Sequence, residues 1–134
     1  MKAALSTRYG SPDVIKIGEV PTPVPGPTEV LVRVHATTVS RTDCGNLRAH
    51  PFFIRLLTGL LRPKQPILGM DFAGEVEAVG EQVTSFSVGD RAFGLTPNSH
   101  GGHAEYVCLD EKGTIAAMPV GVSFEEAVVC EGAL

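Results

Sequence analysis

The chain has 134 residues, of which 43% are hydrophobic and 19% charged. That is one domain's length, with enough apolar material to bury a core and too much for a disordered chain. The formal charge of −4 carries no dense basic stripe or acidic block, which excludes the usual footprint of a nucleic-acid binder.

The N-terminal residues Met1–Asp13 lack the long apolar segment of a signal peptide. No apolar run reaches the roughly 18 residues that a membrane span requires. The expected location is the cytoplasm. Cys44, Cys108 and Cys130 form no C-x-x-C pair. They are expected to be reduced thiols packing as small hydrophobes, neither a disulfide framework nor a Cys-rich zinc site.

In chain order, Met1–Leu5 reads as a short first strand and Val14–Val20 as a second. Pro21–Pro27 (PTPVPGP) is an extended turn, because proline supplies no ladder donor. Glu29–Ser40 (EVLVRVHATTVS) is the clearest strand. Its alternation puts Val30, Val32, Val34 and Ala36 on one face and Leu31, Arg33, His35 and Thr37 on the other. A short helix follows, for which Ser40, Thr42 and Asp43 are apt capping residues.

Phe52–Leu61 (FFIRLLTGLL) has helical spacing at Phe53, Leu56, Leu57 and Leu60 and is bounded by Pro51 and Pro63. It reads either as a core or interface helix or as a mobile apolar lid over a substrate pocket. Gly74–Gly80 is a further strand, with Val76 and Ala78 against Glu75, Glu77 and Val79. Arg91–Gly94 and Ala104–Leu109 complete the strands, with turns at Gly89-Asp90 and His100–Gly102. Ser123-x-x-Glu126 is a capping box that opens a helix through Ala127, Val128, Val129 and Ala133. The helix has no C-cap before Leu134, so the natural protein is expected to continue. With 15 Gly and 10 Pro punctuating short apolar runs, the pattern predicts a mainly β fold with short helices, a partly open β-barrel.

Neither a dinucleotide-binding G-x-G-x-x-G nor a P-loop is present, and no G-x-S-x-G or H-E-x-x-H occurs. His100 and His103 form an H-x-x-H pair in a glycine turn, which alone is too few ligands for a metal site. His35, among valines, reads as a packed or surface histidine.

Two segments carry a family pattern: Val39-Ser40-Arg41-Thr42-Asp43, and the run GMDFAGEVEAVGEQVTSFSVGD at Gly69–Asp90. Together with GGHAEYV at Gly101–Val107 and MPVGVSFEEAVV at Met118–Val129, they resemble the N-terminal GroES-like catalytic domain of the medium-chain dehydrogenase/reductase superfamily. The resemblance covers nearly the whole chain. It implies a GroES-like domain over 1–122 and, in 123–134, the start of the helix leading to a nucleotide-binding domain. Zinc-dependent members of that superfamily carry a cysteine ligand and a histidine ligand where this chain has Ser40 and Met70. Hydroxyl and thioether are poor zinc ligands. The sequence therefore resembles the zinc-free, quinone oxidoreductase-like branch, although those members often have Asn-Pro where Ser40-Arg41 stands here.

The resemblance also implies roles. Arg41 matches a residue that contacts the cofactor pyrophosphate, a task that suits a permanently charged bidentate guanidinium. A surface arginine is the alternative. Ser40 and Thr42 are the candidate catalytic hydroxyls, donating to a substrate carbonyl, with helix capping the equal alternative. Met70, Asp71 and Phe53 are assigned to the substrate pocket. The implied function is the substrate-binding half of an NADPH- or NADH-dependent oxidoreductase acting on a quinone, enone or related carbonyl. It would use no zinc, and the full-length protein is expected to be a homodimer. The isolated 134 residues are expected to be inactive. The rivals are a non-catalytic binding or scaffold module on the same fold and a zinc-dependent alcohol dehydrogenase with unusual ligands.

Overall fold

A computed structural model of the chain describes residues 1–129 except Pro51, Ile54, Leu57 and Thr58. Strands dominate. Strands β1 (Lys2–Ser6) and β2 (Ile15–Glu19) form an antiparallel hairpin around a 3-10 turn at Pro12–Val14. Five further strands form one antiparallel sheet: β3 (Glu29–Ala36), β4 (Asp71–Val79), β5 (Arg91–Leu95), β6 (Tyr106–Asp110) and β7 (Ile115–Ala117), in the order β6-β3-β4-β5-β7. The sheet curls into the partly open, GroES-like barrel that the sequence predicts. Helices are short: α1 (Arg41–Arg48) follows β3, and α2 (Phe124–Val128) follows β7. The three-residue strand β7 is absent from the sequence reading; its Ile115-Ala116-Ala117 is too short and too plain to signal one.

One face of the sheet holds the main core: Val30, Val32, Phe72, Val76, Phe86, Ala92, Val107 and Leu109, with Val34 packed against it. A second cluster lies on the opposite face, where Ala127 and Val128 of α2 cover Ala73, flanked by Ala36 and Phe93. The expected alternation fails at two points, both at register shifts. Between Val34 and Ala36, β3 bulges against β4, so Ala36 pairs with Ala73 on the far face instead of following Val34. Between Leu31 and Val32 the partner strand carries the extra residue. Val79, not Ala78, therefore shares the core face of Val76. A single inserted residue reverses every side chain beyond it.

The predicted helix does not span the whole of 52–61. Phe52 and Phe53 form a turn, Arg55 and Leu56 are helical, Leu60 lies in a bend, and the expected Leu57, with Pro51, Ile54 and Thr58, lies outside the described residues. Gly59, at φ +126°, closes the turn by donating its N–H to the Arg55 carbonyl at 3.0 Å. That positive φ ends a helix at low cost only with glycine. At the other end, the Ser123 box is present as expected. The Glu126 amide donates to Ser123 Oγ at 3.2 Å and the Ser123 amide to Glu126 Oε2 at 2.9 Å. The helix includes the expected Ala127 and Val128, Val129 is its C-cap, and the expected Ala133 lies outside the described residues.

Candidate functional site

Four segments distant in sequence meet where β3 runs out and β4 begins. Asp71 opens β4 and is 2% exposed. Its Oδ2 accepts the Thr38 hydroxyl at 2.5 Å, and its main-chain carbonyl accepts the Thr37 hydroxyl at 2.8 Å. The Thr38 carbonyl in turn lies 2.7 Å from His103 Nε2. A carbonyl only accepts, so His103 carries its hydrogen on Nε2.

Gly69 and Met70 are held from the other side. Thr96 donates from its hydroxyl to the Gly69 carbonyl at 2.9 Å and from its amide to the Met70 carbonyl at 2.7 Å. The His103 and Gly102 amides donate to the Leu68 and Gly69 carbonyls at 2.8 and 2.9 Å. The approach is close enough to demand glycine. A Cβ on Gly69, at φ +98°, would stand 2.4 Å from the His103 nitrogen. These bonds brace the strand-to-helix loop carrying Ser40 against the loop carrying Met70 and Asp71.

Ser40 is the N-cap of α1. Its Oγ accepts the Asp43 amide at 3.3 Å, and Asp43 Oδ2 accepts the Ser40 amide at 2.8 Å. The capping alternative raised for Ser40 is thus realised. A serine hydroxyl accepts and still has one hydrogen to donate, so the cap leaves its donor available. Arg41 and Thr42 occupy the exposed first turn of α1. Beside them opens a cleft of about 450 Å3, lined by Val39, Ser40, Arg41, Cys44, Arg48 and His50 among others. Arg41 and Arg48 stand two turns apart on one helix face, which makes the cleft cationic.

The structure therefore joins the Ser40–Arg41 loop with Asp71 through Thr37 and Thr38. Met70 is half-buried at the same junction. Phe53 is 64% exposed in its turn and is not among the residues lining the α1 cleft. Five participants were not assigned to the site from the sequence: Thr37, Thr38, Thr96, His103 and Arg48. Arg48 had a signal, its spacing from Arg41. For the other four nothing signalled their partners, which lie 27 to 65 residues away. His35, read as packed or exposed, stacks on Phe124 with ring centroids 4.3 Å apart. Cys108 donates its thiol to Glu29 Oε2 at 3.4 Å. Burial, with the Glu29 bond and charge, pushes that thiol up to about 12.

The alcohol dehydrogenase GroES-like domain profile matches residues 26–130. The chain belongs to this family. As a GroES-like domain of the medium-chain dehydrogenase/reductase superfamily, it is 38% identical to a quinone oxidoreductase of Sus scrofa over 128 residues. That match spans 94% of this chain and 36% of the relative. Among solved structures, the quinone oxidoreductase from Coxiella burnetii superposes with a TM-score of 0.84 at 31% identity, covering 96% of this chain and 40% of that one. A mycobacterial protein solved in complex with NADPH superposes at 0.75 with 29% identity, over 96% of this chain and 37% of that one. The GroES-like chain thus spans little more than a third of the length of the relatives it matches.

Proposed function

We propose that this domain is the substrate-binding half of an NAD(P)H-dependent, zinc-independent oxidoreductase that passes hydride to a quinone, enone or related carbonyl. In this reading 1–122 is the catalytic domain, and 123–134 begins the helix into a nucleotide-binding domain. The single observation that carries it is the braced junction, which seats Ser40 next to a cationic cleft. The family resemblance gives that geometry its direction.

The cleft suits a dinucleotide. Arg41 and Arg48 offer fixed positive charge and bidentate geometry to a diphosphate. A bound nicotinamide would supply the hydride, the chemistry the protein lacks. Ser40 and Thr42 then donate to the carbonyl oxygen of the acceptor, where negative charge develops. Asp71, through Thr37 and Thr38, keeps the Ser40 loop from drifting, and Met70 and Phe53 contribute apolar surface to the acceptor's pocket.

Zinc does not fit the donors at this position. The Met70 thioether and a Ser40 hydroxyl engaged in a helix cap are weak partners for Zn²⁺, and no step is routed through a metal. NADPH is the form taken by resemblance. A cytoplasmic homodimer belongs to the same reading, and sedimentation velocity of the whole protein checks the dimer.

Calorimetric titration of the full-length protein with NADPH tests the assignment of Arg41. Arg41→Ala should weaken binding by about 1–3 kcal/mol, the scale of a charge-assisted hydrogen bond. In the same protein, Ser40→Ala with Thr42→Val should lower kcat more than it raises KM, as expected for contacts made in the transition state. Unchanged NADPH affinity removes Arg41 from the cofactor site, and unchanged kinetics moves the catalytic contacts elsewhere.

A further inference from the structure

Helix α2 has five residues, too few to hold together by their own hydrogen bonds. The far face of the sheet holds it. Ala127 and Val128 bury against Ala73 of β4, and the first turn is fixed separately, through Phe124.

Phe124 is reached from both neighbours of β4. From β3, the His35 ring stacks on it with centroids 4.3 Å apart and planes 18° from parallel. From β5, the Arg91 guanidinium lies over the same ring, 4.4 Å from its centre, and Arg91 Nη2 donates to the Val122 carbonyl at 2.9 Å. Contacts of this kind depend on where each partner sits over the ring, so they fix position as well as add stability.

The bulge in β3 serves this arrangement. It places two consecutive residues on the α2 face, His35 against Phe124 and Ala36 beside Ala127 and Val128. Regular alternation would keep only one of the two there. Directly beyond them, Thr37 and Thr38 donate to Asp71, and Ser40 caps α1. The stretch from His35 to Ser40 therefore joins α2 at one end and the braced loop at the other.

We propose that the His35–Phe124–Arg91 stack is a clamp that fixes the start of α2 relative to the Ser40 loop, with His35 and Arg91 as positioning residues for hydride transfer. The inference rests on the proposed reading in which this helix leads into a nucleotide-binding domain. In that reading the hydride donor is carried beyond α2 and the acceptor sits at Ser40. A reaction that needs the two within a few ångströms depends on what fixes the connection between them. Both residues act through Phe124 and need touch neither reactant.

Two measurements on the full-length protein test this. Hydrogen–deuterium exchange of the 123–128 amides reads the clamp itself. His35→Ala and Arg91→Met should each speed it about two- to fivefold, the scale of one cation–π contact at an exposed site. NADPH oxidation with a naphthoquinone as acceptor reads the consequence. Each variant should lower kcat by a similar factor, with the KM for NADPH and the melting temperature unchanged, because both side chains are exposed. His35→Phe should restore exchange and kcat together, since a phenyl ring can stack where the imidazole did. Unchanged exchange in both variants overturns the proposal, and so does an unchanged kcat. Slower turnover that His35→Phe fails to rescue, or that comes with a lowered melting temperature, also overturns it, as a general structural loss. A parent protein that oxidises no NADPH sinks the oxidoreductase reading and the positioning role with it, while the exchange result still decides the clamp.

Discussion

At the scale of single residues, the candidate site rests on buried hydrogen bonds more than on exposed charges. Thr38 donates to a carboxylate that is 2% exposed, so removing that hydroxyl deletes a charge-assisted hydrogen bond in a place water hardly reaches. Thr38→Val keeps the shape and deletes the bond. It should destabilise the domain by about 1–3 kcal/mol, read as a lower urea midpoint with unchanged slope. It should also lower turnover in the whole protein, because the Ser40 loop loses its brace. A variant as stable as the parent would show that Asp71 does not hold this loop. The sequence made Ser40, Met70 and Asp71 visible, because they fall in a patterned segment. Thr38 and His103 stayed hidden, since a tertiary hydrogen bond leaves no trace in local spacing.

At the scale of elements, strands and caps were legible and bulges were not. The capping box at Ser123 is a four-residue signal and it formed as written. The two register shifts between β3 and β4 depend on how two strands far apart in sequence meet, and alternation within either strand cannot reveal them. They moved Ala36 and Val79 to the faces opposite those expected.

The same pair of strands holds a sharper constraint. A Cβ on Gly74 would stand 2.0 Å from the Arg33 carbonyl oxygen on the neighbouring strand. That oxygen belongs to backbone and has little room to give. Gly74→Ala should therefore cost about 3 kcal/mol, the upper part of the range for overpacking a core. Thermal unfolding of the variant checks this. A melting temperature within a degree or so of the parent, well short of the shift of several degrees that such a loss gives a domain of this size, would mean that β3 and β4 are less tightly apposed.

The apolar segment was partly misread for a related reason. Its helical spacing is real, but Gly59 adopts a positive φ that ends the turn, and spacing alone does not report where the segment's outward face has nothing to pack against.

At the scale of the whole molecule, the fold was the most legible property. Gly and Pro between short apolar runs pointed to a partly open barrel, and the family pattern spanned nearly the entire chain. Function was less so, because the chain covers 36% of a relative such as the Sus scrofa quinone oxidoreductase. In the proposed reading, the cationic α1 cleft and the braced Ser40 loop supply one part of a reaction site. The hydride donor must be held within a few ångströms of its acceptor, since the rate gain comes largely from that positioning. The measurement that tests the account most directly is NADPH oxidation by the full-length protein, metal-stripped with a chelator, in the presence of an electron-poor quinone or enone. The account predicts quinone- or enone-dependent oxidation that persists without metal and is not increased by added zinc. Oxidation that appears only when zinc is restored, or no oxidation with any such acceptor, would contradict it.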